Sequence, residues 1–145
     1  MEQSKRVLTV LLSLLIVSGL GLMCVLLIVG FLTDSHIGAQ NYSAAFHRHF
    51  WNWFFLGSGF YLVGCSGFGI TIATRTATAS GVISIMASIA FYFLLFGVMR
   101  ADFEGWSGAA TSMMACSVFV GGVLLLILSG IRWIRKQFKT RASES

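Results

Sequence analysis

Polar and apolar positions in this chain fall into long blocks and do not alternate. Four stretches contain no Asp, Glu, Lys or Arg: Val7 to Thr33 (27 residues), His49 to Thr74 (26), Thr76 to Met99 (24) and Gly105 to Ile131 (27). Each exceeds the roughly 20 residues that a helix needs to cross the hydrocarbon of a bilayer. Backbone amides in lipid must bond within their own segment or around a closed barrel. A barrel needs segments of about ten residues with alternating polarity, and runs such as Val25-Leu26-Leu27-Ile28-Val29 show none. The pattern therefore predicts an all-α membrane protein, a single bundle of four transmembrane helices at about 7–33, 50–74, 78–99 and 107–131, followed by a basic tail at 132–145.

Composition sharpens this reading by exclusion. Charged residues make up 10% of the 145, far below the ~25% of a soluble domain, and the uncharged stretches leave no room for a soluble catalytic or ligand-binding domain. Proline is absent, so nothing in the spans breaks a helix. Lys5 and Arg6 precede the first apolar block as in a signal peptide, but the block is too long and no Ala-x-Ala-like site follows. It reads as a retained signal-anchor helix.

Charge gives a direction. Lys5, Arg6, Arg75, Arg132, Arg135, Lys136, Lys139 and Arg141 fall on one side of the predicted membrane, and only Arg48 and Arg100 on the other. Basic residues are held on the cytoplasmic side, so both termini and the short turn near 74–79 are expected inside, with the loops 34–48 and 100–104 outside. The net charge of +5 then concentrates in the C-terminal segment. It points to topology and contact with anionic lipid, with no nucleic acid expected as a partner.

Aromatic residues gather at the outer start of the second span, among them Phe50, Trp51 and Trp53, and Trp106 stands at the outer start of the fourth. Rings of this kind favour the headgroup region, which predicts an interfacial belt. Small residues mark the expected packing faces: Gly57 and Gly64 in the second span, Ser84 and Ser88 in the third, Ser117 and Gly121 in the fourth. In lipid, helices associate by close van der Waals approach, which small residues permit. Packing within one chain is the preferred reading, with an interface to another membrane protein or a second copy as the alternative.

Chemistry-bearing constellations are few. No acid or base lies at membrane depth, where ion pathways and proton relays usually need one. His36, His47 and His49 lie in or beside the first outer loop, so none can pair across two spans to hold haem. A lone His-x-His pair is a poor metal signature. Cys24, Cys65 and Cys116 sit singly within spans and read as buried small hydrophobes. No nucleophile elbow or phosphate loop is present. No cofactor, metal, small-molecule substrate or enzymatic activity is expected. Asn41-Tyr42-Ser43 is an N-glycosylation sequon in the loop that the charge bias places outside.

The order of features resembles the claudin and peripheral myelin protein group of small tetraspan membrane proteins. The likeness rests on the sequon at Asn41, Glu104-Gly105-Trp106-Ser107 leading into the fourth span, Gly121 and Gly122 before an aliphatic run, and the basic end at Arg132, Arg135 and Lys136. The first loop lacks that group's cysteine pair and Trp-Gly-Leu-Trp motif. The resemblance implies a non-enzymatic protein of the plasma membrane, delivered by the secretory pathway, that accompanies, regulates or organises other membrane proteins. The alternative is a small homo-oligomeric channel or lipid-handling protein lined by hydroxyls such as Ser80, Ser84, Ser88, Thr111 and Ser112.

Overall fold

A computed structural model gives four helices: α1 (Glu2–Ile37), α2 (Ala44–Thr71), α3 (Thr74–Val98) and α4 (Trp106–Ser143). It describes residues 2–37, 44–98 and 106–143, except for the side chains of 31–37, 44–47, 95–98, 106–108 and 143. Among the described residues there is no strand, and all four helices are long and apolar enough to cross a membrane. The sequon at Asn41 and the side chain of Trp106 lie outside the described residues.

α1 and α4 outrun the predicted spans at both ends, while α2 starts earlier but ends at Thr71, short of its predicted end at 74, and α3 begins at Thr74. α1 has 36 residues and α4 has 38; at about 1.5 Å per residue each is well over the ~30 Å of a hydrocarbon core. The basic segment after Ile131 continues α4 as helix to Ser143. No proline or glycine stands between Arg132 and Ser143 to stop it.

Two residues, Ile72 and Ala73, connect α2 to α3. The Ile72 amide closes the end of α2 on the Phe68 carbonyl, and the Ala77 amide opens α3 on the Ala73 carbonyl, both at 3.0 Å. So tight a turn reverses the chain, yet α2 and α3 barely touch beyond it. α4 packs against both, α1 packs mainly on α2, and α1 and α3 do not meet among the described residues. The lateral order is α1, α2, α4, α3. Since the helices alternate in direction, the central pair α2 and α4 runs parallel, and each carries an antiparallel outer neighbour.

Close approach at glycine sets both antiparallel contacts. A Cβ at Gly19 would lie 2.6 Å from the Gly57 carbonyl oxygen, and one at Gly57 would lie 3.1 Å from the Gly19 carbonyl, so α1 and α2 cross backbone on backbone. Gly81 and Gly122 do the same for α3 and α4, with each Cβ 2.9 Å from the other's carbonyl. Such approach multiplies dispersion contacts where lipid offers no hydrophobic drive to association. Toward the end bearing the α1–α2 and α3–α4 loops, the core fills with Met23, Leu27, Phe50, Phe54, Ala110 and Met114.

Candidate functional site

Most hydrogen bonds between helices lie along α4, which forms a polar seam through the bundle. Nearest the loop end, the hydroxyls of Ser58 on α2 and Ser117 on α4 are 2.8 Å apart. One turn further, the Tyr61 ring lies on Gly121, where a Cβ would come within 3.0 Å of the ring's Cζ and hydroxyl. The Tyr61 hydroxyl points toward Ser84 of α3 and the Cys65 thiol one turn along its own helix. Beyond that, Thr78 of α3 and Ser129 of α4 pair at 3.1 Å. Ser129 also donates to the Leu126 carbonyl at 3.0 Å. Each such bond contributes about 0.6 kcal/mol on average in a membrane; together they fix register more than they add stability.

At the end bearing both termini, Arg132 of α4 closes the seam. Its Nη1 donates to the Gly69 carbonyl at 3.2 Å and to the Ile72 carbonyl. These carbonyls belong to the last turn of α2 and its exit, where a helix has acceptors without intrahelical donors and a partial negative charge. A cation from the neighbouring helix thus caps α2.

The packing residues singled out in the sequence all face neighbouring helices. Gly57 meets α1; a Cβ at Gly64 would lie 2.6 Å from Ile16 Cγ1. Ser84 meets Tyr61, Ser117 meets Ser58, Gly121 lies beneath Tyr61, and Ser88 is buried and donates to the Ile85 carbonyl at 2.8 Å. Thr111 is 1% exposed, with no partner for its hydroxyl among the described residues. Ser88 and Thr111 are therefore both buried within one chain.

Two sequence expectations need correction. Phe50 is 4% exposed and stacks on Phe54 with ring centroids 5.8 Å apart. It belongs to the core, because its side of α2 is the one covered by neighbouring helices. Trp51 packs edge-on against Phe50, and Trp53 alone of the three faces fully outward. Of the cysteines only Cys65 is buried; Cys24 and Cys116 are exposed on the outer surface of the bundle. A bundle this thin gives each helix a wide lipid-facing side, so membership of a span does not imply burial.

Gly19, Tyr61, Gly81 and Ser129 were not distinguished by sequence. Each is one small or amphipathic residue in a background of many, and its role depends on which helix lies opposite. Among the described residues no three His, Cys, Asp or Glu side chains come together. No family model, curated protein or solved structure matches this chain, so the likeness to the claudin group rests on the short motifs alone.

Proposed function

We propose that this protein acts without catalysis as an accessory or organising subunit of the plasma membrane, docking onto another membrane protein through the outer faces of α1 and α2. The observation that carries the reading is a division among its glycines. Gly19, Gly57, Gly64, Gly81, Gly121 and Gly122 are occupied by contacts within the chain, whereas a Cβ at Gly21, at Gly59 or, at the far end of the uncharged stretch of α4, at Gly130 would meet nothing within 4 Å; Gly21 and Gly59 are the two that fall on the adjoining helices α1 and α2. Glycine inside a helix costs about 1 kcal/mol relative to alanine, and in a membrane the usual compensation is a close helix neighbour. Gly21 and Gly59 have no such neighbour inside the bundle. They lie among exposed apolar residues, Val17 and Val25 on α1 and Phe55 and Val63 on α2.

The seam supports the same reading. The interior hydroxyls of Ser58, Ser117 and Ser129 pair with other side chains of the chain, so these groups are not free to line a polar path through the bundle. The sequon at Asn41 supports passage through the secretory pathway.

The test is purification of the tagged full-length chain from its native membrane in mild detergent, with a native mass of the complex. A stoichiometric membrane partner that is lost in Gly21→Ile and Gly59→Ile, with thermal stability unchanged, is the expected result. A homo-oligomer that dissociates in the same variants would make a second copy the partner. A monomer with no partner would defeat the reading.

A further inference from the structure

The end of the bundle that carries both termini holds an open cavity of about 900 Å³ between the start of α3 and the emerging part of α4. This volume lies within the range of about 300–1,000 Å³ typical of small-molecule sites. Four of its lining residues are cations, Arg75 from the first turn of α3 and Arg132, Arg135 and Lys136 from α4, with Trp133 beside them. The sole ion pair among the described residues joins Arg6 to Glu2, at 3.4 Å on α1, so no described carboxylate balances the four.

We propose that this cavity binds clustered phosphomonoesters, the chemistry of a polyphosphoinositide headgroup in the leaflet facing the termini. Three features beyond charge support the assignment. Arg132 is held in place by the carbonyls of Gly69 and Ile72, so one cation is preorganised while its other N–H donors remain free for a phosphate. Ala73, Thr74 and Arg75 form a wall of the cavity, and they are the start of α3, where amides without intrahelical partners and a partial positive charge favour anions.

Depth is the third feature. The cavity stands where the uncharged stretches end, at Thr74 and at Ile131. The phosphate layer of a bilayer lies at that level, and the exposed Trp133 and Ile134 stand on the turn of α4 that emerges there. Basic pockets between transmembrane helices hold lipid headgroups in this way. Four unbalanced cations match a headgroup with several phosphate charges better than one with a single charge.

The test uses full-length protein in nanodiscs of phosphatidylcholine containing either phosphatidylinositol bisphosphate or phosphatidylserine at matched total charge. Lipid retained on the protein is read by native mass spectrometry after release from the disc. Both leaflets carry the lipid, so the result does not depend on orientation, nor on whether a protein partner exists. Selective retention of the bisphosphate lipid is expected, reduced about tenfold or more in Arg75→Gln/Lys136→Gln. Lys139→Gln/Arg141→Gln removes the same charge from outside the cavity and should change retention less than about twofold. Equal loss in the two double variants, or equal retention of phosphatidylserine, would overturn the proposal. Soluble inositol trisphosphate and inorganic phosphate identify the source. Displacement by soluble trisphosphate at comparable concentration assigns a soluble phosphorylated ligand to the same cavity, and its failure to displace assigns the membrane lipid.

Discussion

Tyr61 lies over Gly121, and the missing side chain at that glycine lets a residue of α2 cross α4 and reach toward Ser84 on α3. One ring thereby ties together three helices, two of which scarcely touch. Gly121→Ala places a Cβ against the ring. Overpacking at a site this close is expected to cost about 1–3 kcal/mol. Tyr61→Phe keeps the ring and loses only the hydroxyl, for about 0.6 kcal/mol. Thermal unfolding in mild detergent should rank Gly121→Ala well below Tyr61→Phe; equal stabilities would mean that the ring moves freely.

The glycines of α1 and α2 make a graded series. At Gly19 a Cβ would lie 2.6 Å from both a carbonyl oxygen and an amide nitrogen of α2, which can yield only if the helix moves. At Gly57 the nearest atoms are 3.1 and 3.2 Å away and include the flexible Met23 side chain. At Gly21 there is open space. Alanine should therefore destabilise most at Gly19 and less at Gly57, and should stabilise by a few tenths of a kcal/mol up to about 1 at Gly21. Midpoints of unfolding for the three single variants check the order.

Ser58 and Ser117 form an interhelical pair at 2.8 Å. A double-mutant cycle with Ser58→Ala and Ser117→Ala should show a coupling of about 0.6 kcal/mol, with about 1.7 as a ceiling. A coupling near zero would mean that Ser117 is satisfied by its bond to the Met113 carbonyl alone, also at 2.8 Å.

Arg132→Ala removes the cap on α2 and should destabilise the bundle by about 1–2 kcal/mol. Arg132→Lys keeps the charge without the planar set of donors and should recover part of that loss. Hydrogen exchange of the amides around Ile72, which closes on Phe68, should accelerate in Arg132→Ala. Unchanged protection there would separate Arg132 from the stability of the α2 end.

The cysteines offer a test of which faces are covered. Cys24 and Cys116 are exposed and Cys65 is buried. A lipid-soluble maleimide should modify two thiols per folded chain and a third only on unfolding. Slower labelling of Cys24 or Cys116 in a detergent-purified complex than in the free chain in the same detergent would place a partner over α1 or α4.

The spans could be read from sequence because the penalty for a charge in hydrocarbon belongs to a single residue, and a run without charges shows itself. Pairing belongs to two residues. Gly57, Gly64 and Gly121 stand out as small residues on faces able to pack, but nothing in their spacing says that Gly57 meets Gly19 while Gly121 meets Tyr61. Phe50 and Trp53 show the same limit. Both are aromatic and lie within one turn of each other, and only the position of the neighbouring helices sends one into the core and the other outward. Arg132 was legible as a topological charge, whereas its bonds to Gly69 and Ile72 depend on the two-residue turn bringing those carbonyls beside α4.

Because α4 stands between α2 and α3 in the lateral order, the chain cannot complete its bundle in the order in which a ribosome delivers it. α1 and α2 can pair as soon as both have entered the membrane. α3 leaves a two-residue turn with almost no surface to rest on and has to wait for a helix not yet made. During that interval Thr78 and Gly81 of α3 and the Tyr61 ring of α2 lack the α4 residues they pack on in the finished bundle. Only when α4 inserts between α2 and α3 does Thr78 gain the Ser129 hydroxyl and Gly81 its backbone neighbour at Gly122, so α3 acquires its packing partners in a single step.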